Sequence, residues 1–144
     1  MDIQSVMTAN PTCCSPESTL REVAQLMADN DCGQIPVVDA QRRPLGVITD
    51  RDIAIRCVAD GRDGSCRVSD VMSGDVATCS ESDDVDSVMD AMRTEKVRRI
   101  PIVDERGSLV GIVSQADVVR KTGNDSRAEQ TIEQISEPGG RHAQ

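Results

Sequence analysis

The chain repeats itself at a fixed distance of 65 residues without a gap, and this constrains the fold more than any single motif. Val6-Met7 returns as Val71-Met72, and Cys14-Ser15 as Cys79-Ser80. Ile35-Pro36-Val37-Val38-Asp39 returns as Ile100-Pro101-Ile102-Val103-Asp104. Gly46-Val47-Ile48-Thr49 with Asp52 returns as Gly111-Ile112-Val113-Ser114 with Asp117. Residues 6–55 and 71–120 share 12 identities in 50 positions, and most other apolar positions exchange only for apolar ones. One copy is too short to close a core, so two copies packed face to face would bury the apolar sides of both. A binding site in such a chain should come as a pair.

At 144 residues the length fits one compact domain made of two halves. The chain holds no Phe, Tyr or Trp. Stacking of bases on aromatic rings, the usual device of single-strand nucleic-acid binders, is therefore excluded. A net charge of −9 also repels a polyanion, whose binding rests on clustered Lys and Arg. No nucleic-acid partner is expected. No run reaches the roughly 18 apolar residues of a membrane span, and Met1-Asp2-Ile3-Gln4 lacks the basic and apolar regions of a signal peptide. A cytoplasmic protein without a membrane partner is the expectation.

Each copy reads as strand, helix, strand, strand, helix, an α/β (α+β) pattern. Pro11–Cys14 and Val76–Cys79 are short extended stretches. Leu20, Val23, Ala24 and Met27, with Val85, Val88, Met89 and Met92, follow the i, i+3, i+4, i+7 spacing of one apolar helix face. Thr19 with Glu22 forms a candidate capping box. Two β-rich runs follow in each copy, joined by polar turns into a hairpin. Proline cannot donate to a strand ladder, which predicts Pro36 and Pro101 at a strand start or edge. A second helix starts at Thr49 or Ser114. The polar stretch 58–67 separates the copies, and residues 122–144 form a polar tail with a short helix near Ala128–Ile135.

Six cysteines are present, with no C-x-x-C pair and a single histidine, His142. A structural zinc site wants four ligands at paired short spacings, so no metal is expected. Small buried hydrophobes are the plainer reading of these thiols. A redox or metal sensor built on Cys13, Cys14 and Cys79 is an alternative, as is a ligand-free assembly scaffold.

The hydrophobic-Pro-hydrophobic-Val-Asp strand and the Gly-hydrophobic-hydrophobic-[Ser/Thr]-x-x-Asp turn, each present twice, resemble the CBS domain. Val6-Met7-Thr8 and Val71-Met72-Ser73 look like that family's leading segment, and Val97-Arg98-Arg99-Ile100-Pro101 like its stand-alone bacterial members. The resemblance implies two tandem β-α-β-β-α motifs about a pseudo-twofold axis, over residues 1–60 and 68–121. A linker over 61–67 would join them, and the tail would cover 122–144. It also implies a homodimer and an adenosine-containing ligand: AMP, ADP, ATP, S-adenosylmethionine or NAD(H). No cofactor is obligatory, and a protein target is a further expectation.

Thr49 with Asp52, and Ser114 with Asp117, have the S/T-x-x-D form of a helix N-cap, which contributes roughly 1 kcal/mol each. A helix N-terminus also presents free N–H groups to an anion. By resemblance, Asp52 and Asp117 hold ribose, while Thr49 and Ser114 sit by the first phosphate. Resemblance also places Thr12, Ile35 and Pro36, and Ala77, Ile100 and Pro101, around the base. The copies differ in charge. Residues 93–99 carry +3 through Arg93, Lys96, Arg98 and Arg99 against Glu95, whereas 28–34 carry −2. Arg98 and Arg99 are either solvated strand-flanking charges or phosphate ligands of the second site. With no internal histidine, nucleophile–base pair or phosphate loop, an enzyme is not expected.

Overall fold

The computed structural model describes residues 2–122, and the tail with its expected helix lies outside the described residues. The chain divides into two compact units, one of Thr12–Val76, the other of Met1–Pro11 together with Ala77 onward. Compactness and sequence repeat are therefore cut at different places. Each copy's leading segment belongs to the unit that holds the other copy's hairpin.

The unit containing the second hairpin is a four-stranded sheet in the order β1-β6-β5-β4. Here β1 is Thr8–Ala9, β4 Cys79–Ser80, β5 Arg99–Val103 and β6 Leu109–Ser114. Helix α3 (Val85–Glu95) and helix α4 (Gln115–Thr122) complete it. Asp84 caps α3 through a bond from Ser87 N–H, 2.9 Å, and Val85, Val88, Met89 and Met92 are all buried, as their spacing predicts. They join Ile100, Ile102 and Val113 in one apolar cluster, which Ile3 and Val6 of the leading segment complete.

The Thr12–Val76 unit repeats this plan. Strand β2 (Gln34–Val38) pairs with β3 (Pro44–Thr49), Cys14 bridges Val37 in parallel, and Ser73 bridges Val47. Helix α1 (Leu20–Asn30) is capped by Thr19, whose hydroxyl accepts from Glu22 N–H at 3.1 Å. Leu20, Val23 and Met27 are buried, but Ala24 is exposed, so the apolar face is narrower than its spacing suggests. A helical segment follows β3: α2 (Asp50–Ile53), then a wider π turn over Ala54–Val58. Val68 and Val71 join Ile35, Val37 and Ile48 in this unit's core.

The two hairpins share one register. Ile35 faces Ile48 as Ile100 faces Val113, Val37 faces Gly46 as Ile102 faces Gly111, and each is irregular at the same point. Left-handed residues recur too: Asn10 with Asp75, Asp31 with Lys96. Asp39 closes its hairpin turn by accepting from Gln41 and Arg43 N–H, both at 2.9 Å, and Asp104 does the same for Arg106 and Ser108 at 2.9 and 3.0 Å.

Pro101 corrects an expectation, whereas Pro36 stands on an edge strand of a two-stranded sheet, as expected. Each is the third residue of a five-residue strand, and β5 lies between two neighbours. The carbonyl of Pro36 accepts from Cys14 N–H at 3.0 Å, and Val38 N–H donates to Cys14 O at 2.8 Å. A strand residue's N–H and C=O point the same way, so the missing donor faces the flank ahead of the Cys14 bridge, where pairing has not begun. A proline costs no rung there.

Stretch 58–67 is well bonded. Its Gly64 and Cys66 carbonyls accept from Arg21 N–H at 3.0 Å and Leu20 N–H at 2.9 Å, satisfying two donors that the first turn of α1 leaves open.

Candidate functional site

In each unit the hairpin ends where a helix begins, and there the S/T-x-x-D residues meet. Asp52 N–H donates to Thr49 Oγ1 at 2.9 Å, and Thr49 N–H donates back to Asp52 Oδ2 at 3.1 Å, a complete capping box. Thr49 is buried at 4% exposure, so its hydroxyl serves the helix first. The other oxygen of Asp52 lies 3.9 Å from Arg56 Nε. In the second copy Asp117 N–H donates to Ser114 Oγ at 3.1 Å, and Asp117 pairs with Arg120. Ser114 is more open than Thr49.

The strand that precedes each helix contributes the residue opposite. Gln34 faces Thr49, and Arg99 faces Ser114. One backbone bond ties the corner together in both copies: Asp50 N–H to Gly33 O at 2.9 Å, and Gln115 N–H to Arg98 O at 2.8 Å. Arg98, Arg99, Ser114 and Asp117 are thus gathered at one corner of the second hairpin. At the matching corner of the first stand Gly33, Gln34, Thr49 and Asp52, without a cation on the strand.

Arg98 Nε and Gln115 Oε1 are buried and have no hydrogen-bond partner among the described residues. The sequence marks Gln115 only by its replacement of Asp50 in the repeat. Ile35 and Ile100 sit inside their units' cores at 0% exposure, and Pro36 and Pro101 are buried beside them. Thr12 and Ala77 are half-buried just before the Cys14 bridge and β4.

Cys14 and Cys79, two of the three thiols named for a redox or metal sensor, are poorly suited to it. Burial pushes the Cys14 thiol up to about 12, with Cys13 adding to the rise. Burial likewise pushes Cys79 to about 11, with Asp83 adding to it. The reactive form is the thiolate, so burial lowers the reactivity of both near neutral pH. Among the described residues no group of three or more His, Cys, Asp or Glu could hold a metal ion, and none of their helices is long and apolar enough to cross a membrane.

The family model of the CBS domain matches residues 3–58 and 68–123. The CBS domain-containing protein YhcV of Bacillus subtilis is 39% identical over 125 residues, covering 86% of this chain and 88% of its own. Among solved structures, Hypoxic Response Protein I with two coordinated zinc ions has a TM-score of 0.76 at 30% identity, over 83% of this chain and 98% of that one. The CBS domain pair of protein MJ0100, in complex with 5-methylthioadenosine and S-adenosyl-L-methionine, has a TM-score of 0.74 at 25% identity, over 85% of this chain and all of that one. With one match per repeat and a relative 39% identical over 88% of its own length, the chain belongs to the CBS-domain family and carries two CBS motifs in tandem.

Proposed function

We propose that the chain is a non-catalytic, ligand-sensing module that binds an adenosine-containing molecule at the hydroxyl–carboxylate corners of its hairpins. The observation that carries this reading is the corner of the second hairpin, which gathers Arg98 and Arg99 with the hydroxyl of Ser114 and the carboxylate of Asp117. Asp117 and Asp52 would accept from ribose hydroxyls, with Ser114 and Thr49 near the first phosphate. Arg98 and Arg99 would take the phosphates, making the second corner the better one for a polyphosphate; the first suits a less charged ligand.

Adenine would lie against Ile100, Pro101 and Ala77, or Ile35, Pro36 and Thr12, and be read by backbone groups. The complex of MJ0100 with 5-methylthioadenosine and S-adenosyl-L-methionine supports the ligand class. The same reading takes the protein as a cytoplasmic homodimer that acts on a protein target. Its output is limited by the ligand's differential affinity for two arrangements.

A thermal-shift panel of AMP, ADP, ATP, S-adenosylmethionine, NAD and NADH tests it. Ligand at 100-fold excess over Kd adds about 2.7 kcal/mol. At least one compound should raise the melting temperature of the wild type, and Arg98→Ala should weaken ATP more than adenosine. No shift with any of the six refutes the reading and favours the scaffold.

A further inference from the structure

We propose that Cys57 and Cys66 form a reversible disulfide that staples the junction between the two repeats. Cys57 lies in the π turn that ends the first copy, buried, and its thiol donates to the carbonyls of Arg62 and Asp63 at 3.5 and 3.4 Å. Cys66 N–H donates to that same Asp63 carbonyl at 3.2 Å. The two residues thus donate to one oxygen atom and share one apolar cluster, Cys57 inside it and Cys66 packed against it, half-buried. Burial raises the Cys57 thiol above its ordinary range, with Cys66 and Asp63 nearby adding to the rise.

The chain between them is already folded back on itself. Arg62 N–H donates to Cys57 O at 2.9 Å, and Gly61 N–H to Val58 O at 3.1 Å. Neither cysteine has a counterpart in the repeat, where Thr122 and Met1 hold the matching places. The pair therefore belongs to the junction alone.

Oxidation needs an acceptor, here a low-molecular-weight disulfide such as oxidised glutathione. The thiolate of Cys66, the more exposed thiol, attacks one sulfur and expels the other half as a thiolate. Cys57 then gives its proton to solvent, attacks the Cys66 sulfur of the mixed disulfide and releases the second thiolate. Two protein thiols lose two electrons, and the small disulfide gains them as two thiols. The new bond would tie the end of the π turn to the carbonyl that holds Leu20 N–H. It would also anchor the chain just before Val68 and Val71, which fill the core of this unit.

The test equilibrates the full chain in reduced and oxidised glutathione, quenches with acid and an alkylating reagent, and maps peptides without reduction. The expected result is a linked Cys57–Cys66 peptide, loss of two hydrogens from the intact mass, and slower amide exchange at Leu20 and Arg21. Cys66→Ser should abolish the linked peptide and leave Cys57 as a free thiol; circular dichroism of that variant checks its fold. Cys57 and Cys66 remaining as thiols in oxidised glutathione would overturn the proposal, as would Cys66 stopping at the mixed disulfide or pairing with Cys32.

Discussion

Replacing Gly46 with alanine should cost more stability than the same change at Gly111, although the two occupy one place in the repeat. A Cβ on Gly46 would overlap the carbonyl oxygen of Ser73 and stand 2.8 Å from Met72 Cε and 3.1 Å from the Ser73 carbonyl carbon. That obstacle is committed backbone. Val47 N–H donates to Ser73 O and Ser73 N–H to Val47 O, both at 2.9 Å, so the segment can yield only by stretching both bonds. At about 1 kcal/mol net for each, their loss approaches ~2 kcal/mol. Alanine returns about 0.4–1 kcal/mol by restricting the unfolded chain, and residual overpacking adds ~1 kcal/mol or more. The balance is roughly 2 kcal/mol of destabilisation. At Gly111 the first obstacle is the thioether of Met7, with Met7 Cγ and Thr8 O both at 3.1 Å. A methionine tip can rotate aside, and the expected cost is about 1 kcal/mol or less. Neither glycine has a positive φ, so the contrast is steric. Urea unfolding of the full chain reads it as a shift in midpoint at unchanged slope. A Gly46→Ala protein as stable as the wild type, or a Gly111→Ala protein less stable than Gly46→Ala, would refute the exchange of leading segments as the reason for these glycines.

Four further outcomes follow from the same geometry. Thr49→Val keeps the buried shape but strips the partner from Asp52 N–H, and should cost about 1 kcal/mol in denaturant titration; Asp52→Asn should stay closer to wild type in stability while reducing any ligand-induced thermal shift. Cys14 and Cys79 have folded-state pKa values of about 12 and about 11 against an ordinary 9.0. The folded state thus holds these protons where the unfolded chain releases them, so their contribution is complete below pH 9 and lost as pH rises through 11 to 12; alkylation of either at neutral pH faster than global unfolding would contradict this. Asp39 shows the opposite sign. Its carboxyl is held below the ordinary 3.8, first by the backbone N–H of Arg43, so the hairpin turn should loosen only as pH falls below that value; an Asp39 titration by NMR at or above the ordinary value would refute it.

Local chemistry was legible along the chain. The apolar spacing from Val85 to Met92 is a helix because those side chains share one face, and Thr19 and Thr49 cap helices because a hydroxyl there meets a free N–H. The 65-residue repeat carried the identical register of both hairpins, since equal patterns of apolar side chains pair in equal ways. Other features depend on what meets each residue in space. Pro36 can sit mid-strand only because the Cys14 segment has not yet begun to pair there. Whether Val6 or Val71 completes a given core was not written in the residues, for both leading segments begin with the same Val-Met pair. Chain connectivity and packing made that choice, placing Ile3 and Val6 with the second hairpin and Val68 and Val71 with the first. Tertiary packing likewise left Arg98 Nε and Gln115 Oε1 buried without partners among the described residues, because a polar atom's satisfaction depends on neighbours distant in sequence, and sequence patterns describe only those nearby.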